Sequence, residues 1–189
     1  MSRQRWRPRF FTVLFLVFAM TTASGCGYNT LVSRQEAVDA AWSEIDNQLK
    51  RRNDLIPNLV NTVKGFAAQE KDVLMGVTEA RSRVAGASTP GETMAASNQL
   101  SGALARLLVT VERYPELRSN QNFLQLQDEL AGTENRLAVA RMRYNESVRS
   151  FNTTTKRFPT NLIANFFGFE GRDYFEVPES VEETPGVKF

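Results

Sequence analysis

Glu70 and Arg81 interrupt one apolar helical stripe of this sequence, and Gln127, Glu134 and Arg141 interrupt another, at spacings that keep each set on one helix face. Together they fit a carboxylate–guanidinium cluster. Such a cluster either binds a small polar ligand or, buried between helices, fixes their register; the second reading is the favoured one for Glu70, Arg81, Glu134 and Arg141. The chain has no histidine and one cysteine, Cys26. Imidazole-based nucleophile pairs and histidine metal ligands are therefore excluded, as are intrachain disulfides and cysteine-built zinc or iron–sulfur sites. A carboxylate metal site would need several converging acids, and the ferritin-type Glu-x-x-His pattern is impossible here. Thr153-Thr-Thr-Lys156 has the spacing of a hydroxyl–lysine pair, but it lies at a helix end with no flanking oxyanion signature and reads as a solvated last turn. There is no glycine-rich phosphate loop. No catalytic residue, cofactor or metal is expected, and the chain does not read as an enzyme.

The elements that carry these residues follow an unusual N-terminus. Arg3, Arg5, Arg7 and Arg9 precede an uncharged stretch from Phe10 to Met20, and then Thr21, Thr22, Ala23, Ser24, Gly25 and Cys26. A basic start, a short apolar stretch and a small-residue site form a secretory signal over residues 1–25. The ending Ala23-Ser24-Gly25-Cys26 resembles a bacterial lipoprotein box, which implies that Cys26 becomes the first mature residue and carries acyl chains such as palmitate. The other reading is an uncleaved signal anchor. Both leave the arginines inside and the remainder of the chain outside the cytoplasm, on the periplasmic side where there are two membranes. Without residues 1–25, and so without those four arginines, 19 basic residues face 21 acidic ones. The overall excess of +2 thus belongs to the signal, and nucleic-acid binding is not expected.

Prolines 57, 90, 115 and 159 divide the mature chain into segments too long for strands. Leu31, Val38, Trp42, Ile45 and Leu49 step by sevens, fours and threes. Ile56, Val60, Val63, Ala67, Leu74 and Val77 continue the alternation, and Phe123, Leu130, Leu137, Tyr144, Val148 and Phe151 repeat it. Each set makes one apolar stripe. A helix is predicted to begin at Leu55, capped by Asp54 with Pro57 in its first turn. The stretch Gly86 to Gly91 reads as a loop, Tyr114-Pro115 as the end of a third helix, and Ser119 or Asn120 as the cap of a fourth. Gly65, Gly76, Gly102 and Gly132 fall inside helices, where close helix approach is the expected reason for them. The fold class is all-α: an elongated antiparallel four-helix bundle over residues 26–175, with a short C-terminal aromatic helix, after the signal segment. Residues 176–189 form an acidic, frayed tail.

Six of the nine phenylalanines that follow the signal lie in the last 32 residues. Leu162, Ile163, Phe166 and Phe167 share one face of a short helix, with Phe169 just beyond. Either this helix closes the end of the bundle, or Leu162, Ile163, Phe166, Phe167 and Phe169 form a contact for a partner or the membrane interface.

Several stretches resemble the LemA family: Tyr28-Asn-Thr-Leu-Val32, Ala41-Trp42, RRNDLIPNLVNTVKG from Arg51 to Gly65, NFLQLQDELAGTENRLAVARMRYNESVRSFN from Asn122 to Asn152, and Phe158-Pro159-Thr-Asn-Leu with Gly168-Phe169. The resemblance runs from about Tyr28 to Phe175, and the cysteine-ended start is similar to the lipoprotein subset. It implies an all-helical bundle held at a bacterial membrane, an accessory role and no established enzymatic activity. The function expected is a membrane-anchored, extracytoplasmic, non-catalytic scaffold or accessory for an envelope protein partner. The alternative is a small-ligand or lipid-binding helical bundle. The membrane is engaged through lipidated Cys26 or an uncleaved N-terminal helix.

Overall fold

In the computed structural model, residues 7–175 are described, with side chains from Gly27 onward. The tail 176–189 lies outside the described residues, as do the side chains of the signal segment 1–25 and of Cys26. Among the described residues six helices follow one another: α1 (Arg7–Phe66), α2 (Lys71–Gly86), α3 (Pro90–Val111), α4 (Pro115–Arg118), α5 (Gln121–Lys156) and α6 (Thr160–Phe167). The fold is all-helical, with no strand among the described residues.

The helix predicted to start at Leu55 is not a separate element. Pro57 lies inside α1, which continues to Phe66. Proline in a helix interior removes the N–H that would bond the carbonyl four residues back, and costs roughly 3 kcal/mol. Here that carbonyl belongs to Asn53, and Arg81 of α2 donates its Nε to it at 3.1 Å. A side chain from the neighbouring helix supplies the missing donor, and burial of Ile56, Leu59 and Val63 holds the turns on either side of Pro57 in the core.

Capping explains the other boundaries. Thr89 precedes Pro90 at the first turn of α3. Its hydroxyl accepts from the Glu92 N–H at 3.2 Å, while the Glu92 carboxylate accepts from the N–H groups of Ser88 at 2.9 Å and Thr89 at 3.2 Å. This is a capping box, and with Pro90 it starts α3 sharply. Asn120 accepts from the Phe123 N–H at 3.1 Å and so opens α5, as its residue type suggested. α6 ends where Gly168 takes φ 74°, a left-handed conformation open to glycine, and Phe169 N–H bonds back to the Ala164 carbonyl at 2.9 Å.

The described chain divides into two compact units, and α1 and α5 contribute residues to both. In the first, α1 up to Ala40 and the segment Glu146–Arg172 bury Leu31, Val38, Val148, Phe151 and Ala164. In the second, Ala41–Asn145 and the residues from Asp173 enclose a larger core. Ile56, Leu59 and Val63 of α1 meet Leu74 and Val77 of α2, Leu100, Leu104 and Leu107 of α3, Leu117 of α4 and Phe123 of α5. Each such side chain adds about 1.5–3 kcal/mol when fully buried. Within this unit Trp42 stacks edge-on against Tyr144 at 5.5 Å, Gln48 meets Arg136, and Arg52 meets Glu134. As the α1 numbers rise the α5 numbers fall, so these two stretches run antiparallel.

The expected reason for the helical glycines does not hold at three of them. A Cβ added at Gly65, Gly76 or Gly102 would meet nothing within 4 Å, because each faces open space. Gly76 and Gly102 line a cleft of about 460 Å³ between α2 and α3 instead of a close helix crossing.

Candidate functional site

The second unit contains a charge network built from three helices. Arg52 of α1 is only 5% exposed. Its Nη1 lies 2.8 Å from Oε2 of Glu134 on α5 and donates to the Ser101 hydroxyl on α3 at 3.0 Å. Ser101 in turn donates to the Ser97 carbonyl at 3.1 Å. Arg141, two helical turns after Glu134, donates through Nη2 to the buried hydroxyl of Ser97 at 3.0 Å. Its Nη1 stands 4.0 Å from Glu134 Oε1, and its guanidinium lies over the Phe175 ring, 4.4 Å from the centroid.

One carboxylate therefore serves two guanidinium groups. Burial lowers the pKa of Arg52, and Glu134 opposes that shift. Burial lowers Arg141 too, against the pull of Glu134, with the charge of Arg52 adding to the lowering. Both stay cationic, since arginine does not deprotonate in proteins. The Nε atoms of Arg52 and Arg141 are buried and have no hydrogen-bond partner among the described residues.

Glu134 and Arg141 are thus brought together, while the other expected members stand elsewhere. Glu70, just ahead of α2, accepts from Arg113 at 2.9 Å and from the Tyr114 hydroxyl at 2.8 Å, and Gln69 donates to that same hydroxyl at 3.0 Å. The hydrogen bond to the Glu70 carboxylate is the main reason the Tyr114 pKa is raised. Arg81 serves the Asn53 carbonyl, and Gln127 is exposed to solvent, off the seam where the register placed it. Arg52, the most buried charge, was missed. It sits between Leu49 and Ile56 in the same three-four alternation as Leu59 and Val63. The stripe read from the sequence ends at Leu49, one step of that alternation short of Arg52, and resumes at Ile56 beyond the helix break placed at Leu55.

What this arrangement can do chemically is tie α1, α3 and α5 to one another. Its charges face one another and the serines of α3, and such networks specify pairing more than they add stability. Among the described residues no group of three acidic or cysteine side chains could hold a metal ion. The second unit also has a groove of about 630 Å³ between α1 and α2, with Val60, Leu74 and Met75 beside Lys64 and Lys71.

The aromatic segment belongs to the first unit. Of α6 only Ala164 is buried. Ile163 and Phe169 are half-buried, whereas Leu162, Phe166 and Phe167 are exposed, as is Phe158 ahead of the helix. Tyr28 of α1 holds Phe167 at 4.8 Å and Phe169 at 5.9 Å between ring centroids, and Phe151 of α5 lies 6.5 Å from Phe169.

Two asparagines of α5 hold the chain that follows. In the first unit Asn152 donates to the Arg172 carbonyl and accepts from its N–H, both at 2.8 Å. In the second, Asn145 does the same for Phe175, at 3.0 and 2.7 Å, and the Tyr144 hydroxyl donates to the Asp173 carbonyl at 3.1 Å. The sequence reading gave these asparagines no role.

Among the residues described with side chains, no helix is long and apolar enough to cross a membrane. The LemA family model matches residues 41–189. Magnetosome proteins MamQ 1 and MamQ 2 of Paramagnetospirillum magneticum are each 26% identical to this chain over 175 residues, 79% of it. The match spans 64% of each of those two relatives, just under two thirds of their length. Protein LemA of Metamycoplasma hominis is 26% identical over 167 residues, covering 82% of this chain and 73% of the relative. With its family match covering most of its length and its helical fold in agreement, the chain belongs to the LemA family.

Proposed function

We propose that this chain is a membrane-anchored, extracytoplasmic accessory protein, a non-catalytic scaffold for an envelope protein partner. On this reading residues 1–25 are a lipoprotein-type signal, Cys26 carries the acyl chains, and residues 26–175 are a LemA-type four-helix bundle. The observation that carries it is the Arg52–Glu134–Arg141 network with Ser97 and Ser101. The buried Arg52 guanidinium and Ser97 hydroxyl are engaged in links among α1, α3 and α5, which suits a rigid docking body. Membership of the LemA family, and the four arginines before an apolar stretch ending at the single cysteine, support the membrane placement. Two or more acyl chains on Cys26 would hold it firmly, since one binds only marginally.

The test is crosslinking of the full chain in cells followed by mass spectrometry, beside a Cys26→Ser variant. The expected result is one dominant envelope protein, lost together with membrane retention in the variant. Absence of any partner above background in both overturns the scaffold.

A second reading is favoured by the groove between α1 and α2. Lys64 and Lys71 flank an apolar floor there, which fits an anionic amphiphile, so the protein would be a lipid-binding bundle. Native mass spectrometry of the purified chain is then expected to find a co-purified lipid that Lys64→Glu/Lys71→Glu loses.

A further inference from the structure

We infer that α6, with Phe158 ahead of it, is an interfacial membrane contact that lies against lipid beside the anchor. Two independent observations meet in the first unit. The first is exposure without apparent use: Phe166 is 83% and Phe158 75% exposed, and Leu162 and Phe167 are also open to solvent. Large apolar side chains concentrated on eight residues and their flank are not a normal solvated surface. The second is where this helix is seated. Ile163 packs on Gly27 so closely that a Cβ there would fall 2.5 Å from its Cδ1, and Phe167 stacks on Tyr28. Gly27 and Tyr28 are the residues immediately after Cys26, and the apolar stretch Phe10 to Met20 lies just before it.

Anything that holds residues 1–26 at a bilayer therefore holds α6 there as well. Consecutive Cα atoms are about 3.8 Å apart, so an acylated Cys26 would leave Gly27 one step from the headgroups. That proximity selects the occupant. A protein segment covering Phe158, Leu162 and Phe166 would have to compete for space with the membrane, whereas the headgroup–acyl boundary accepts aromatic side chains in this position. Lys156 and Arg157, both exposed and adjacent to Phe158, add cations at the depth of anionic headgroups.

The inference rests on the membrane-anchored reading above, and one experiment separates the two. The membrane-anchored chain carrying Phe166→Trp is reconstituted in vesicles of phosphatidylethanolamine and phosphatidylglycerol, with the unsubstituted chain, prepared in the same way, subtracting the emission of its native tryptophans, Trp42 and, where residues 1–25 are retained, Trp6. Phe166 is exposed enough for this exchange to leave the fold intact, which circular dichroism checks. The expected result is a blue-shifted emission from position 166 and its loss when the lipids carry bromine at shallow acyl positions. A chain that floats with the vesicles but keeps its 166 emission unshifted and unquenched overturns the lipid contact and leaves the anchor standing. A chain that does not float overturns the anchor and this inference with it.

Discussion

Arg81 donates its Nε to the Asn53 carbonyl at 3.1 Å, the oxygen that Pro57 leaves without its helical partner. Arg81→Ala is expected to destabilise the chain by about 1–2 kcal/mol, the range for a partly buried acceptor left unmade. In a Pro57→Ala background, where a backbone N–H returns, the same substitution should cost much less. Urea denaturation of the four chains in a double-mutant cycle measures the difference. Equal costs in the two backgrounds would show that the proline and the arginine are unrelated.

The Arg52–Glu134 pair has the opposite logic. Removing Glu134 leaves Arg52 and Arg141 without their shared carboxylate. Breaking a fully buried pair costs ~3–5 kcal/mol, but the Glu134 side chain is still 41% exposed, so about 1–3 kcal/mol is expected for Glu134→Ala. Exchanging both partners for apolar residues, Arg52→Met with Glu134→Leu, should recover much of that loss. Thermal unfolding of the single and double variants checks the order.

Gly76 and Gly102 offer stabilising substitutions. Each lies within a helix and has open space where a Cβ would go. Gly76→Ala and Gly102→Ala are each expected to stabilise the fold by roughly 0.5–1 kcal/mol. A lower urea midpoint for either variant would mean that the cleft between α2 and α3 closes in solution.

The α3 capping box gives a pH dependence. The N–H groups of Ser88 and Thr89 hold the Glu92 carboxyl below its ordinary value. A depressed folded-state pKa makes a contribution that is present above the unfolded value of about 4.3 and lost as pH falls through the folded one. The stability difference between the native chain and Glu92→Gln should therefore be smaller at about pH 3 than at about pH 5, two conditions on either side of the unfolded value of about 4.3. Guanidinium denaturation at both pH values measures it, and a constant difference would remove the carboxylate from the account.

Asn145 holds Phe175 by its N–H and its carbonyl together. Asn145→Ala should raise the hydrogen-exchange rate of the Phe175 amide at least about tenfold, the equivalent of one lost hydrogen bond of ~1.4 kcal/mol. It should leave the helix α5 amides before Asn145 unaffected. Unchanged exchange at Phe175 would show that the Tyr144–Asp173 hydrogen bond and the Arg141 contact retain the segment without Asn145.

The helical class and most of the core were legible because the apolar residues repeat at threes and fours. Leu31, Val38, Ile45, Leu49, Ile56 and Val63 are all buried where the stripe put them. Local signals were weaker where a distant residue decides the outcome. Pro57 reads as a helix start, and Arg81, 28 residues after Asn53, together with the burial of Ile56, Leu59 and Val63, lets α1 run through it. That one misreading also hid Arg52. The Thr89–Glu92 box was written locally and was overlooked because the Gly86 to Gly91 stretch read as a loop. Glu134 with Arg141 was readable from their seven-residue spacing, whereas the partners of Glu70 depend on where α3 ends. Asn145 and Asn152 carry no sequence signal for their role, because they bind backbone and not side chains.

That last property bears on how this region can change over generations. Asn152 and Asn145 grip the main chain at residues 172 and 175, so the identity of most side chains between them is open to drift. Arg172 and Asp173 can be exchanged without touching either asparagine's grip. Gly171 is held to a small side chain, since a Cβ there would come within 3.3 Å of Asn152 Oδ1. Relatives that keep both asparagines and the small residue can diverge at the intervening positions and still fasten the segment in the same way.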